Sequence, residues 1–268
     1  MTNAARLGDS SHGGRVSELR IATRNAAPVR SGGEFVLYWM IACRRTEWNF
    51  SLQRAIEWAV ELRKPLVIFQ PLRIGYRWAS DRLQRFVIDG MADQAKRVAA
   101  LKNRGVRYFP YVEPAPDEGR GLLTALAERA CVVVTDEFPS FFLPRMVSAA
   151  AARLTVKLEQ VDSNGLLPRR ATERVFTTAF SFRTFLQKEL PQHLAQFPQP
   201  DPFVGLKLPA LPALPDEITR RWPPVSAKLL TGDAAELAKL PIDHAVVVMK
   251  PPPQGNGVWS WQQWAERE

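Results

Sequence analysis

The chain has 268 residues, 46% of them apolar and 24% charged, with a formal charge of +9. That composition supplies a real core and excludes a disordered tail protein, and the basic balance favours contact with polyanions, DNA above all. No apolar run approaches the roughly 20 residues of a membrane span. The first residues, "MTNAARLGDSSHGGR", carry no apolar h-region, so no secretory signal is expected. Cys43 and Cys131 both sit in strand-like runs, which argues against a disulfide framework and for a reducing cytoplasm.

Residues 1–33 are polar and Gly-rich and read as a flexible arm, with a short ordered piece at "ELRIATRN". A regular alternation follows. "EFVLYWM" predicts a strand apolar on both faces. Residues 48–63 place Phe50, Leu52, Ile56, Ala59, Val60 and Leu62 largely on one helical stripe. "PLVIF" is the second strand. Residues 80–105 predict a long helix, capped by Ser80 or Asp81 and ended by Gly105. "VRYFPYV" is the third strand, short or kinked at Pro110. A helix over 121–130 leads to the strand "CVVVTD", and a helix over 143–153 leads to the strand "TVKLEQVD". Another helix is expected near 180–190. Alternating strands and helices predict an α/β fold, a five-stranded parallel doubly wound (Rossmann-like) sheet. The near-continuous apolar strands fit burial on both faces. Three regions follow: an arm over 1–33, an α/β domain over 34–200, and a Pro-rich linker and mobile tail over 201–268.

Ligands of such sheets bind beyond the carboxyl ends of the strands. The loops there span 41–48, 70–80, 112–120, 135–142 and 162–172. They offer Arg44, Arg45, Trp48 and Asn49, then Tyr76 and Trp78, then Asp136, Glu137 and Phe138, and finally Asp162, Ser163 and Asn164. Aromatic faces with a few polar groups suit a planar heterocycle. The structural alternatives stay open: Asn49 as the cap of the first helix with Trp48 packed beside it, and Asp136 and Glu137 as caps of the following turn. "MIACRRTEWN" contains no glycine, so the phosphate-binding turn of a dinucleotide site is missing. "GNG" at 255–257 lies in a tail without strand context. His12, His193 and His244 are isolated from one another and from the cysteines, so neither a metal cluster nor a nucleophilic triad is expected, and His193 reads as a helix-surface residue.

"GEFVLYWMIACRRTEWNFSLQRAIEWA" resembles the first strand, loop and helix of the photolyase/cryptochrome antenna domain, and most resembles the class II photolyases. "RIATRNAAPVR" upstream, "CVVVTDEFPSFFLPRMV", "LEQVDSNGLLPRR" and "AFSFRTFLQKELPQHLAQFP" resemble further family elements in order, over residues 20 to 200. "IACRR" departs from the class pattern in the first loop. The resemblance implies light-driven repair of cyclobutane pyrimidine dimers in DNA, with the FAD that splits the dimer held in a helical C-terminal domain. An N-terminal α/β domain that binds an antenna pigment, a deazaflavin or a folate, harvests light. Arg44, Trp48, Asn49, Asp136 and Glu137 are the candidate lining of that pigment site, and no residue takes a catalytic role.

The resemblance stops after "KLPIDHAVV", where the chain continues "VMKPPPQGNGVWSWQQWAERE". The expectation is therefore an antenna module lacking the FAD domain, from a gene shortened or frameshifted near residue 249. Trp259, Trp261 and Trp264 do not read as an electron-transfer chain. Two other readings compete: a non-enzymatic module docking DNA or a separate flavin-domain polypeptide, and a nucleotide-binding α/β protein of another kind.

Overall fold

A computed structural model of the chain describes residues 14–101, 105–211 and 213–248. The start of the expected arm with His12, the Gly255–Gly257 motif, the region of the expected frameshift and Trp259, Trp261 and Trp264 lie outside the described residues.

The sheet has six strands: β1 (Ile21–Thr23), β2 (Phe35–Trp39), β3 (Leu66–Leu72), β4 (Val106–Val112), β5 (Ala130–Glu137) and β6 (Leu158–Asp162). Their spatial order is β1-β6-β5-β2-β3-β4. β2 to β6 pair in parallel, and β1 runs antiparallel to β6, opposite Glu159 to Val161. The five-stranded, wholly parallel sheet expected from the alternation of strands and helices is thus corrected to a six-stranded mixed one. The connections reverse direction at β2, which gives the doubly wound arrangement its switch point between β2 and β5.

The helices are α1 (Phe50–Leu62), α2 (Asp81–Ala100), α3 (Leu122–Ala127), α4 (Leu143–Ala151), α5 (Ala179–Glu189), α6 (Asp216–Arg221), α7 (Ala227–Leu230) and α8 (Ala234–Leu237). Asn49 caps α1 by accepting from Leu52 N, and Ser80 caps α2 by accepting from Leu83 N. Strand period sorts the core into two layers. Phe35, Leu37 and Trp39 pack with Phe69, Tyr111, Leu122 and Val147 on the side of α3 and α4. Val36, Tyr38 and Met40 pack with Leu52, Ile56 and Ile68 on the side of α1. Val60, expected on the apolar stripe of α1, is exposed.

Two segments read as loose are built in. Residues 14–33 are fastened by polar side chains that bond backbone. The buried Arg20 donates to the carbonyls of Asp162 (3.2 Å) and Leu166 (2.6 Å). Asn25 donates to Val156 O (2.9 Å) and accepts from Leu158 N (3.0 Å). Gly33 lies so close to β5 that a Cβ there would stand 2.6 Å from Cys131 N. Within the expected Pro-rich tail, Phe203, Leu214, Ile218, Trp222, Leu229, Leu237 and Leu240 are buried against the domain. Trp222 Nε1 donates to Glu118 O (3.0 Å), and Val225 N donates to Pro110 O (3.0 Å) at the free side of the edge strand β4. That edge position is where a strand tolerates proline. His193, expected on a helix surface, is instead buried in a 3-10 turn (Leu190–His193), 3.3 Å from Gln196 Oε1.

Candidate functional site

The carboxyl ends of β2, β3 and β5 meet two very different surroundings. At β5, Asp136 is almost fully buried. Its Oδ2 accepts from three successive backbone N–H groups, those of Ile41 (2.9 Å), Ala42 (2.8 Å) and Cys43 (3.0 Å). Its Oδ1 accepts from the Tyr38 hydroxyl (2.7 Å), which also receives the Asn49 amide (2.9 Å). Asn49 donates as well to the carbonyls of Cys43 and Arg45. Successive N–H groups converging on one point form the concavity with which other folds bind phosphate. Here the protein's own carboxylate fills it. Burial first, then the Asp136 charge, pushes the Tyr38 phenol well above its usual range and the Cys43 thiol up to about 12, so neither ionises near neutrality.

That knot fixes the loop after β2 so that Arg44 turns toward β3, where Nη2 donates to Pro71 O (3.2 Å). Arg44 there lines an open cavity of about 700 Å³ beyond the ends of β2, β3 and β4, flanked by α2, α3 and α4. Trp39, Phe69, Tyr76 and Tyr111 give it aromatic walls. Tyr76 and Phe142, from the loops after β3 and β5, pack with ring centroids 5.8 Å apart. Its polar lining includes Arg44, Gln84 and Glu113. Glu113, 2% exposed, accepts from Ile74 N (3.2 Å) and Gly119 N (3.1 Å) and so ties together the loops after β3 and β4. Gln84, 1% exposed, spends its amide on Arg73 O (3.2 Å) and leaves Oε1 without a partner. Arg44 Nη1 is also buried and without a partner. Burial lowers the pKa of Arg44, against the opposing pull of Asp136, Tyr108 and Tyr38. An unpaired buried donor or acceptor costs about 1–3 kcal/mol. Both atoms belong to residues that line one largely apolar cavity, although the atoms themselves are shut off from its space.

Of the five residues singled out in the sequence, Arg44 lines the cavity. Asn49 caps α1 and Asp136 organises the loop beneath the site. Glu137 is ion-paired to Arg169 (2.7 Å) and Arg170. Trp48 is 48% exposed, has a left-handed backbone (φ 46°), and its N–H donates to Gln199 O (3.1 Å), away from the cavity. Tyr76 lies in the wall, whereas Trp78 is exposed under Arg77. Sequence reasoning missed Trp39, Gln84, Tyr111 and Glu113. The alternation of β2 puts Trp39 on the face opposite Tyr38, but nothing in the pattern marks that face as hollow at its end. Among the described residues no cluster of His, Cys, Asp and Glu could hold a metal, and no helix is long and apolar enough to cross a membrane.

No family model matches the chain. A deoxyribodipyrimidine photo-lyase of Methanothermobacter thermautotrophicus is 31% identical to it over 193 residues, which is 72% of this chain and 41% of that protein. The chain is a relative of the DNA photolyases. The photolyase resemblance carried by "EFVLYWMIACRRTEWN" and the later segments is thereby borne out, over a stretch that makes up well under half of the photolyase it matches.

Proposed function

We propose that this chain is the light-harvesting part of a photolyase and that the cavity beyond β2, β3 and β4 holds its antenna pigment. The observation that carries the reading is one aromatic-walled cavity of about 700 Å³ whose lining includes Arg44 and Gln84, two polar residues with hydrogen-bonding capacity left unspent. That volume is in the range of cofactor sites. A deazaflavin or a folate is a flat ring system with a carbonyl and an N–H on one edge. Such an edge accepts from a guanidinium and donates to an amide oxygen, so the residues present fit the group. Arg44 and Gln84 would hold that edge, Trp39, Phe69, Tyr76 and Tyr111 would sandwich the ring, and Tyr76 with Phe142 would keep water from it. The pigment, when bound, absorbs near-ultraviolet or blue light and passes the excitation on.

In this reading repair of pyrimidine dimers needs a flavin-bearing helical part, whether joined to these residues or supplied as a separate polypeptide, and the net charge of +9 favours work near DNA. The competing nucleotide-binding reading loses its phosphate site to Asp136, whose carboxylate fills the N–H concavity after β2. The test is the absorption spectrum of the chain purified from cells that make both deazaflavin and folate. The reading expects a near-ultraviolet or blue chromophore at about one per chain, released on denaturation. A colourless protein that takes up neither pigment on reconstitution contradicts it.

A further inference from the structure

Two exposed phenylalanines stand in the lining of the cavity. Phe141 is 76% exposed and Phe142 43%. Both come from the loop 138–142 between β5 and α4. The ends of that loop are fastened. Glu137 before it is ion-paired to Arg169 and Arg170, and Phe142 at its end packs on Tyr76. Between these anchors Phe141 has a left-handed backbone (φ 61°). Glycine enters that region freely and asparagine or aspartate with little penalty, so an aromatic residue there is strained. We infer that Phe141 is the lid of the cavity, the ring that lies on the outer face of a flat bound ligand. The inference rests on the pigment reading for the flatness of the ligand, and it adds the residue that shields it.

Among the described residues, the left-handed backbones other than glycine are those of Trp48, Arg63, Asp117 and Phe141. The first three have a local reason. Arg63 ends α1, a position where helices commonly turn left-handed. Asp117 is of a type that tolerates the region. Trp48 donates its backbone N–H to Gln199 O (3.1 Å) and so ties its loop to a distant segment. Phe141 has no comparable compensation. Its ring stacks on Phe138 with centroids 6.3 Å apart, and most of it stays in water. A strained backbone and an exposed apolar ring are two unfavourable terms at one residue. Strain of this kind persists at ligand clamps, where the bound state offsets it. The cavity beside Phe141 is open, so a pigment seated there keeps one face in water unless a ring covers it. Phe141 laid on that face buries both apolar surfaces and makes the offset stack that flat rings favour.

The test loads the purified chain with deazariboflavin or methenyltetrahydrofolate and follows the probe that binds. F141G and F141A both remove the ring. Each is expected to release the probe about fivefold to tenfold faster than the wild type and to leave its fluorescence more open to quenching by iodide. F141Y keeps a ring and is expected to stay within about twofold on both readouts. Without probe, F141G should withstand more urea than F141A, because glycine alone is at ease with the left-handed backbone. Release and quenching unchanged in F141G and F141A overturn the lid and leave the pigment reading standing. Release from F141Y as fast as from F141G assigns the effect to the loop and overturns the role of the ring. An F141A chain as stable as F141G removes the strain on which the lid rests and overturns it too. Failure of both probes to bind the wild-type chain overturns the lid and the pigment reading together.

Discussion

The two halves of one sheet edge behave in opposite ways. Around Asp136, beyond β2 and β5, each buried polar group has found a partner inside the protein: three backbone N–H groups, the Tyr38 hydroxyl and the Asn49 amide close on one another. A few residues away, beyond β2, β3 and β4, Arg44 and Gln84 each keep one buried atom unpaired beside a cavity walled by aromatic rings. Charged and polar residue types are alike on both sides. What separates scaffold from site is whether hydrogen bonding is completed from within.

Breaking the closed half should cost most. D136A strands three backbone donors and a phenol, and is expected to lower unfolding free energy by about 3–5 kcal/mol in urea titrations. A loss under about 1 kcal/mol would show that the knot is not structural. In the open half the order reverses. R44A removes one unpaired donor together with the bond from Nη2 to Pro71 O, so stability should fall by only about 1 kcal/mol, while pigment affinity falls about 10- to 100-fold, as for a lost hydrogen bond to a charged group. Q84L should act in the same direction with a smaller loss, measurable by the same pigment titration.

The closed kind of site also sets a pH dependence. Burial works to raise the pKa of Glu159, but hydrogen bonds from Arg54 (2.9 Å) and Trp58 (2.8 Å) and the charges of Arg54 and Lys157 outweigh it, and the carboxyl lies below its usual value. A lowered carboxyl contributes stability that is present above its unfolded value, near pH 4.3, and lost as pH falls through the folded one. Unfolding free energy should therefore drop below about pH 4.3, and E159Q should flatten that slope. The smallest effect is expected of W48A. Its side chain is half exposed and remote from the cavity, so stability should stay within about 0.5 kcal/mol and pigment affinity should not move.

How much of this was legible depended on the kind of interaction. Three strands, β2, β3 and β5, announced themselves as apolar runs because both their faces are buried, and β4 and β6 followed from the alternation of strands with helices. β1 did not, since Ile21–Thr23 is held at the sheet edge by Arg20 and Asn25 bonding to backbone, which leaves no periodic signature. The segment after 201 also hid its packing. Phe203, Leu214, Ile218 and Trp222 are buried one at a time between prolines and short turns, so no helical stripe forms over most of it. At the site, strand ends pointed to the right loops and to Arg44. They could not separate Asp136, which is consumed in shaping its loop, from a residue free to meet a ligand. Gln84 was out of reach because it sits in the first turn of α2, where a polar residue is unremarkable. Only the missing partner of its Oε1 marks it.

The most direct test follows side-chain NMR signals of Arg44 and Gln84 while deazaflavin or folate is added to the chain. The Arg44 guanidinium and the Gln84 amide should shift together and saturate at one pigment per chain, with the indole of Trp48 unmoved. Saturable binding that shifts Trp48 and Asn49 and leaves Arg44 and Gln84 where they were would place the pigment elsewhere and contradict the account.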